Sequence, residues 1–297
     1  MVTAWRHIYG LWGRFWFVPL IPALHAAFMA SIGALRPEHV LAALAFAGLG
    51  FAVEKTKLLV AAAFPALLVA LAYDLMRFVT PVFVRPGRVW GCEMRALELK
   101  LFGVGPDTTL PDFFNVHHAP FFDVLFALPY ALFIYIAALY SIFLFVKDRE
   151  RMHHYLWAFA IAHVIGFAIW MAIPAAPPWY IRAHGCVIDP TAAPSAAALL
   201  RVDQLLGIHY FEGFYSRNPN SFGAMPSLHC VFPALGLLTA WRSATWLTRP
   251  IHVIYLVLMV IASVYLDHHW LIDGTVGIIV AIVAVFIAAR LRGRRWP

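Results

Sequence analysis

Apolar residues run nearly unbroken through eight stretches of the chain, at about 15–35, 39–53, 58–79, 121–146, 155–173, 228–246, 251–266 and 272–290. Several reach the ~20 residues a helix needs to cross the hydrocarbon core of a bilayer. The pattern predicts an all-α polytopic membrane protein of about eight transmembrane helices, with 39–53 short for a span. Polar positions collect between the runs, and thirteen of the 22 basic residues fall in one alternate set of connections. Arg6 and Arg14 precede the first run, and Lys55 and Lys57 follow the second. Lys147, Arg149 and Arg151 separate the fourth from the fifth, and Arg242 and Arg249 the sixth from the seventh. Arg290, at the end of the eighth, and Arg292, Arg294 and Arg295 beyond it close the chain. With eight spans all of these share one side, which the positive-inside rule makes cytoplasmic, together with both ends of the chain. The turn at 36–38, the long segments 80–120 and 174–227, and the turn at 267–271 face the extracytoplasmic side.

The two long outer segments carry structure of their own. Trp90, Met94, Leu97 and Leu101 recur at helical spacing among Arg88, Glu93, Arg95 and Glu98, which predicts a helix lying in the membrane interface. Pro174-Ala-Ala-Pro-Pro-Trp179 ends the preceding helix. A short helix is expected from Pro194 to Leu206, stopped by Gly207, and 215–221 reads as irregular chain. The chain divides into a two-span extension at 1–57, a six-helix membrane core at 58–290 and a basic tail at 291–297.

Composition changes this picture little. Hydrophobic residues make up 63% of the 297 and charged residues only 12%, against roughly 25% charged in soluble domains. That leaves little room for a separate soluble domain. A net charge of +7 would suggest nucleic acid in a soluble chain. Here the basic residues act as topology signals, so no nucleic-acid partner is expected. Of the three cysteines, Cys92 and Cys186 share the outer side, and their pairing is left open. The first apolar run lacks a small-residue cleavage site, so no cleavable signal peptide is read.

The candidate chemistry sits at the edges of two apolar runs, in Gly223-Ala-Met-Pro-Ser-Leu-His229 and Tyr265-Leu-Asp-His-His-Trp-Leu-Ile-Asp273. A helix opening at Pro226 would leave the amides of Ser227, Leu228 and His229 unpaired toward an anion. His269 and Asp273 are four apart, so on a helix they share a face and the carboxylate can hold the imidazole in one tautomer. Ionisable groups at membrane depth are costly, which favours function over packing. The topology brings both segments to the same membrane face.

Together with Ser263-Val264 before the second segment, these residues resemble the second and third signatures of the type 2 phosphatidic-acid phosphatase superfamily. The doubled histidine after Tyr-Leu, the Met before Pro-Ser, and Pro174-Ala-Ala-Pro-Pro-Trp-Tyr180 narrow the resemblance to the branch containing the fungal inositol-phosphorylceramide synthases. It covers roughly 58–290. The resemblance implies that His269 is the nucleophile forming a phosphohistidine, that Asp273 orients it, and that His229 serves as acid and then base. Ser227 and the amides beside it would hold phosphate oxygens. The implied activity is transfer of a phospho-headgroup, such as inositol phosphate from phosphatidylinositol, to a lipid hydroxyl such as that of ceramide or diacylglycerol. It calls for no metal and no cofactor. The alternative puts water in the acceptor's place, giving a lipid phosphate or polyprenyl pyrophosphate phosphatase.

The chain departs from the superfamily pattern in its cations. The first signature, a lysine followed at a distance by Arg-Pro, is missing from the end of the fifth span, and Ser263-Val264 stands where an arginine is expected. Arg182 and Arg217 are the candidates to replace them, and Arg77 is expected to pair with Asp74. His268 points about 100° away from His269 on a helix, and His117, His118 and His184 read as loop residues. His25 and His163 read as packing residues within spans. Two further classes compete: a metal-dependent hydrolase using His229, His268, His269 and Asp267, and a transporter. The transporter is disfavoured because the ionisable groups cluster at one face rather than at the midplane. Nothing in the sequence speaks to oligomeric state.

Overall fold

All eight apolar runs are helical in the computed structural model, which describes residues 2–291. Arg292, Arg294 and Arg295 of the expected basic tail lie outside the described residues. Two compact units are present, Met1–Ala72 and Tyr73–Pro297. The first contains α1 (Val2–Trp12), α2 (Ile21–Ser31), α3 (Pro37–Ala52) and the start of α4 (Glu54–Phe83). Within it α2 packs along α3, and the Trp12 indole N–H donates to Gly50 O at 2.7 Å.

The second unit holds the rest of α4, then α5 (Cys92–Phe102), α6 (Leu110–Val116), α7 (Pro120–Lys147), α8 (Arg149–Ala172) and α9 (Pro178–His184). It continues with α10 (Leu200–Leu206), α11 (Tyr210–Tyr215), α12 (Leu228–Ala240), α13 (Thr248–Tyr265) and α14 (Leu271–Leu291). Helices α4, α7, α8, α13 and α14 are long and apolar enough to cross a bilayer. The first expected span is a pair of helical stretches, Thr3–Phe15 and Val18–Ser31, bent by 93°; counted as one span, it makes six. The second and sixth expected spans are shorter helices, α3 with 16 residues and α12 with 13.

Although short, α12 is the hub of the second unit. It packs on α7, α8, α13 and α14, and nine of its residues are buried. Helix α7 instead exposes Leu128, Leu132, Leu139 and Ile142, the composition of a face turned to lipid. Gly277 lets α14 come close to α12. A Cβ there would stand 2.5 Å from Ser227 O, so only glycine admits this approach.

The outer segments fold together over the end of the unit that carries both motifs. Trp90, Ala175 and Gly223 form isolated β-bridges, with Ala176 N donating to Trp90 O at 2.9 Å and Ala224 N to Ala175 O at 3.2 Å. Cys92 and Cys186 are joined in a disulfide, so the pairing left open by the sequence is made. Helix α5 is the helix expected from this spacing, but Trp90, Met94, Leu97 and Leu101 do not share one face of it. It starts at Cys92, buries Met94 and Glu98, and leaves Trp90 and Leu101 exposed. The reason is the bond to Cys186 and the entry of Met94 into a core of Val84, Val89, Tyr180, Phe222 and Trp270. The helix expected at 194–206 is a tight turn at Ala197–Leu199 followed by α10, and it ends at Gly207 (φ 65°) as expected. Arg77 and Asp74 are paired as expected.

Candidate active site

Between α13 and α14 the chain reverses over five residues, 266–270, and that reversal presents both histidines of the second motif. It requires a left-handed residue, Asp267 (φ 64°), a conformation that Asp tolerates better than most side chains. Arg182 of α9 grips this residue with both arms of its fork, Nε to Oδ2 at 3.1 Å and Nη2 to Oδ1 at 2.8 Å. Its third nitrogen reaches Asp112 Oδ1 at 3.0 Å. Burial lowers the Arg182 pKa, but the two carboxylates outweigh it and raise the value on balance. Burial likewise raises the Asp267 carboxyl, against the opposing pull of Arg182. The amides of His268 and His269 both donate to Ser263 O, at 3.2 and 3.0 Å, which closes the turn.

Trp270 anchors the far side of the turn. It is fully buried, and its indole N–H donates to Ala176 O at 2.9 Å. The helix that follows is capped by a residue 173 positions upstream of its first amide. Glu98 of α5 accepts from Leu271 N at 2.9 Å and from Ile272 N at 3.1 Å. Two of the four amides that any helix start leaves unpaired are thereby satisfied. Burial raises the Glu98 carboxyl, and the two amides oppose that rise.

The imidazoles of His269 and His229 meet with Nε2 and Nδ1 3.1 Å apart. The Nδ1 of His269 lies 2.9 Å from Ala224 O and 3.5 Å from Asp273 Oδ2. A carbonyl can only accept, so His269 carries its proton on Nδ1, and its Nε2 presents a lone pair to His229. His229 therefore donates from Nδ1, and its Nε2, 3.4 Å from the Tyr215 hydroxyl, accepts. Asp273 Oδ2 also takes the Trp270 N–H at 2.9 Å, while Oδ1 is buried with no hydrogen-bond partner among the described residues. Tyr130 stacks on His229 with ring centroids 4.3 Å apart.

The first motif differs from expectation in one respect. Helix α12 begins at Leu228, not at Pro226, and the Ser227 amide is used, donating to Asp273 O at 3.0 Å. This backbone link, permitted by Gly277, ties the two motifs together. The amides of Leu228 and His229 occupy the first turn of α12, where a helix has no acceptor to offer. Ser227 Oγ is buried beside the Cys230 thiol and has no hydrogen-bond partner among the described residues. The structure thus gathers Ser227, His229, His269 and Asp273, which lie far apart in sequence.

The two expected cations differ in their surroundings. Arg182 is committed to Asp267 and Asp112, and it approaches the histidines only through the turn it clamps. Arg217 is exposed, and its guanidinium makes no hydrogen bond or ion pair among the described residues. His268 is buried between the rings of Tyr130 and Tyr215, with Nε2 3.1 Å from Ala196 O. Burial pushes its pKa down to about 3, so it stays neutral. The residues that sequence reasoning missed are Glu98, Tyr130, Tyr215 and the Ala224 carbonyl. Only Glu98 left a trace, since it follows Met94 by four and so shares its buried face.

Inward from His229, a cavity of about 430 Å³ opens between α7, α8, α12 and α13. Phe133 lines it and also packs against His229, with ring centroids 4.9 Å apart. The remaining walls are mostly apolar, among them Ile136, Phe232, Gly236 and Ile251.

The signature of the PAP2 superfamily matches residues 103–287, a region that contains all of these residues except Glu98. The chain is similar to the phosphoinositol dihydroceramide synthase of Bacteroides thetaiotaomicron, with 32% identity over 271 residues covering 90% of this chain and 88% of that protein. It is also similar to the inositol phosphorylceramide synthase of Candida albicans, 31% identical over 51% of this chain and 32% of that protein. The inositol phosphorylceramide synthase catalytic subunit of Schizosaccharomyces pombe is 28% identical over 77% of this chain and 54% of that protein. The chain therefore spans only about a third to a half of these longer fungal relatives. No solved structure matches it. A matched region that covers most of the second unit and closes on one pair of imidazoles leaves a plain conclusion: the chain belongs to the PAP2 superfamily.

Proposed function

We propose that this protein is a membrane lipid phosphotransferase that moves inositol phosphate from phosphatidylinositol to the hydroxyl of ceramide or a similar lipid alcohol. The observation that carries the reading is the pairing of the His269 Nε2 lone pair with the His229 Nδ1 proton. The similarity to proteins named inositol phosphorylceramide and phosphoinositol dihydroceramide synthases supports the choice of substrates.

The chemistry runs in two halves. His269 Nε2 attacks phosphorus, and protonated His229 gives its proton to the departing diacylglycerol oxygen. Now neutral, His229 takes the proton of the acceptor hydroxyl as that oxygen attacks phosphorus and frees His269. Negative charge on the phosphate oxygens is met by the α12 amides and the Ser227 hydroxyl. The apolar cavity inward of Phe133 suits the hydrocarbon chain of a lipid acceptor. Arg182 acts by clamping Asp267, and Arg217 is the exposed cation available to an incoming headgroup. The catalytic portion comprises 58–290, with 1–57 as an extension.

Two independent features support an extracytoplasmic site with cytoplasmic ends. With eight spans, most of the basic residues fall in the connections opposite the site, and the Cys92–Cys186 disulfide ties segment 80–120 to segment 174–227, as suits an oxidising compartment. A metal-free reaction is supported by the ligand atoms already in use: Arg182 holds both Asp267 oxygens, and Ala196 O accepts from His268 Nε2.

The test is to incubate purified protein with labelled phosphatidylinositol plus ceramide, and separately with phosphatidic acid, each with and without a chelator. A new inositol phospholipid, formed equally well after chelation, is the expected result. Phosphate release with no new phospholipid would place water as the acceptor and overturn the transferase reading. Asp273→Asn is expected to lower kcat on the order of 10²-fold. That is less than the roughly 10⁴-fold loss when an asparagine imposes the wrong histidine tautomer in a serine protease, because here Ala224 O already fixes the His269 proton. A loss as large as that of removing His269 itself would show that Asp273, not the carbonyl, sets the tautomer.

A further inference from the structure

We propose that Glu98 is a positioning residue for the Asp273–His269 pair, acting through the first turn of α14 across 171 residues of chain to His269. The proposal rests on the reading of His269 as nucleophile. Glu98 is fully buried, and each of its carboxylate oxygens takes one α14 amide, Leu271 N at 2.9 Å and Ile272 N at 3.1 Å. Trp270, the residue before the helix, has no side-chain acceptor to offer those amides. Asp273, three positions on, reaches back only to the Trp270 amide. Without an outside acceptor, the unpaired amides of Leu271 and Ile272 would compete for the Asp273 carboxylate and draw it away from His269. Glu98 removes that competition.

The arrangement is built rather than incidental. A buried carboxylate without partners is expensive, and this one is fully paired with backbone N–H groups. Helix α5 is held in place by the disulfide at its first residue and by Met94, which packs in the same core as Trp270. Glu98 also brings negative charge behind Asp273.

Glu98→Gln keeps the size but loses the charge, and its NH₂ must face one of the two amides. The expected result is a kcat lower by about 10²-fold, the scale of a small misplacement of reacting groups, with KM little changed. The rate of phosphoenzyme formation from phosphatidylinositol should fall by the same factor, because the displaced pair is the one that attacks. Glu98→Asp retains the two acceptor oxygens but is one methylene short, and it should rescue part of the lost kcat. Folded fraction is followed by gel filtration and helicity, and if the Gln variant does not fold, the Asp variant decides. Wild-type kcat in either folded variant would overturn the proposal. So would a lower kcat in Glu98→Gln that is matched by the loss of folded fraction, which would make Glu98 a helix cap only. His269→Ala in the same assay separates the two readings. If it matches wild type, the nucleophile reading itself fails, whereas an inactive His269→Ala beside a normal Glu98→Gln sinks only the role given to Glu98.

Discussion

His269→Ala protein is expected to fold and to form no covalent phosphoenzyme, with turnover reduced by about 10⁴-fold or more. The covalent route ends with the loss of Nε2, and only binding and electrostatics remain to help water or the acceptor attack directly. Folding should survive because the ring's polar contacts are few. Nδ1 donates to Ala224 O, Nε2 faces His229, and the surrounding turn is held by backbone bonds to Ser263 and by Trp270. The check is a rapid-quench experiment with phosphatidylinositol carrying labelled phosphate and no acceptor. Wild type should show a burst of diacylglycerol and acid-labile label on the protein, and the variant neither. Well-folded His269→Ala protein working at the wild-type rate would end the assignment of the nucleophile.

His229→Ala should lose about 10²- to 10⁴-fold, the usual range for one acid–base group, and it should lose it in both half-reactions. Its two ring nitrogens already touch His269 and Tyr215, and Tyr130 and Phe133 fix the ring from its faces. The prediction therefore has a fingerprint. A substrate with an acidic leaving group, such as a nitrophenyl phosphodiester of inositol, needs no proton to depart, so the first half should recover. The second half still lacks its base, and phosphoenzyme should accumulate. Recovery of full turnover with that substrate would show that His229 has no part in the second step.

Much of this site was legible in the sequence, and what was not has a common cause. His229, His269 and Asp273 stand in two short motifs, and Ser227 lies within one of them, so residue type and local spacing pointed to their chemistry. The start of α12 was misjudged because a proline before a helix is compatible with either register. What fixed the register was a bond from Ser227 N to Asp273 O, a partner 46 residues away. Arg182 was chosen as a phosphate ligand for its charge and place in the chain. Its fork was already filled by Asp267 and Asp112, which no local pattern records. The spacing of Trp90, Met94, Leu97 and Leu101 puts them on one helical face, yet the disulfide and the core turn Met94 and Glu98 inward and leave Trp90 and Leu101 exposed.

By itself the sequence determined that this chain lives in a membrane as a set of helices, and which side chains are the candidates for its chemistry. Both follow from local causes, the transfer of apolar segments out of water and the intrinsic reactivity of histidine beside a carboxylate. The tertiary structure alone decided that a backbone carbonyl at 224 fixes the proton on His269. It also set Arg182 to hold the Asp267 turn and Glu98 to start α14. These are directional contacts of an ångström or two in tolerance between residues 45 to 173 positions apart, and hydrophobic patterning is silent about direction.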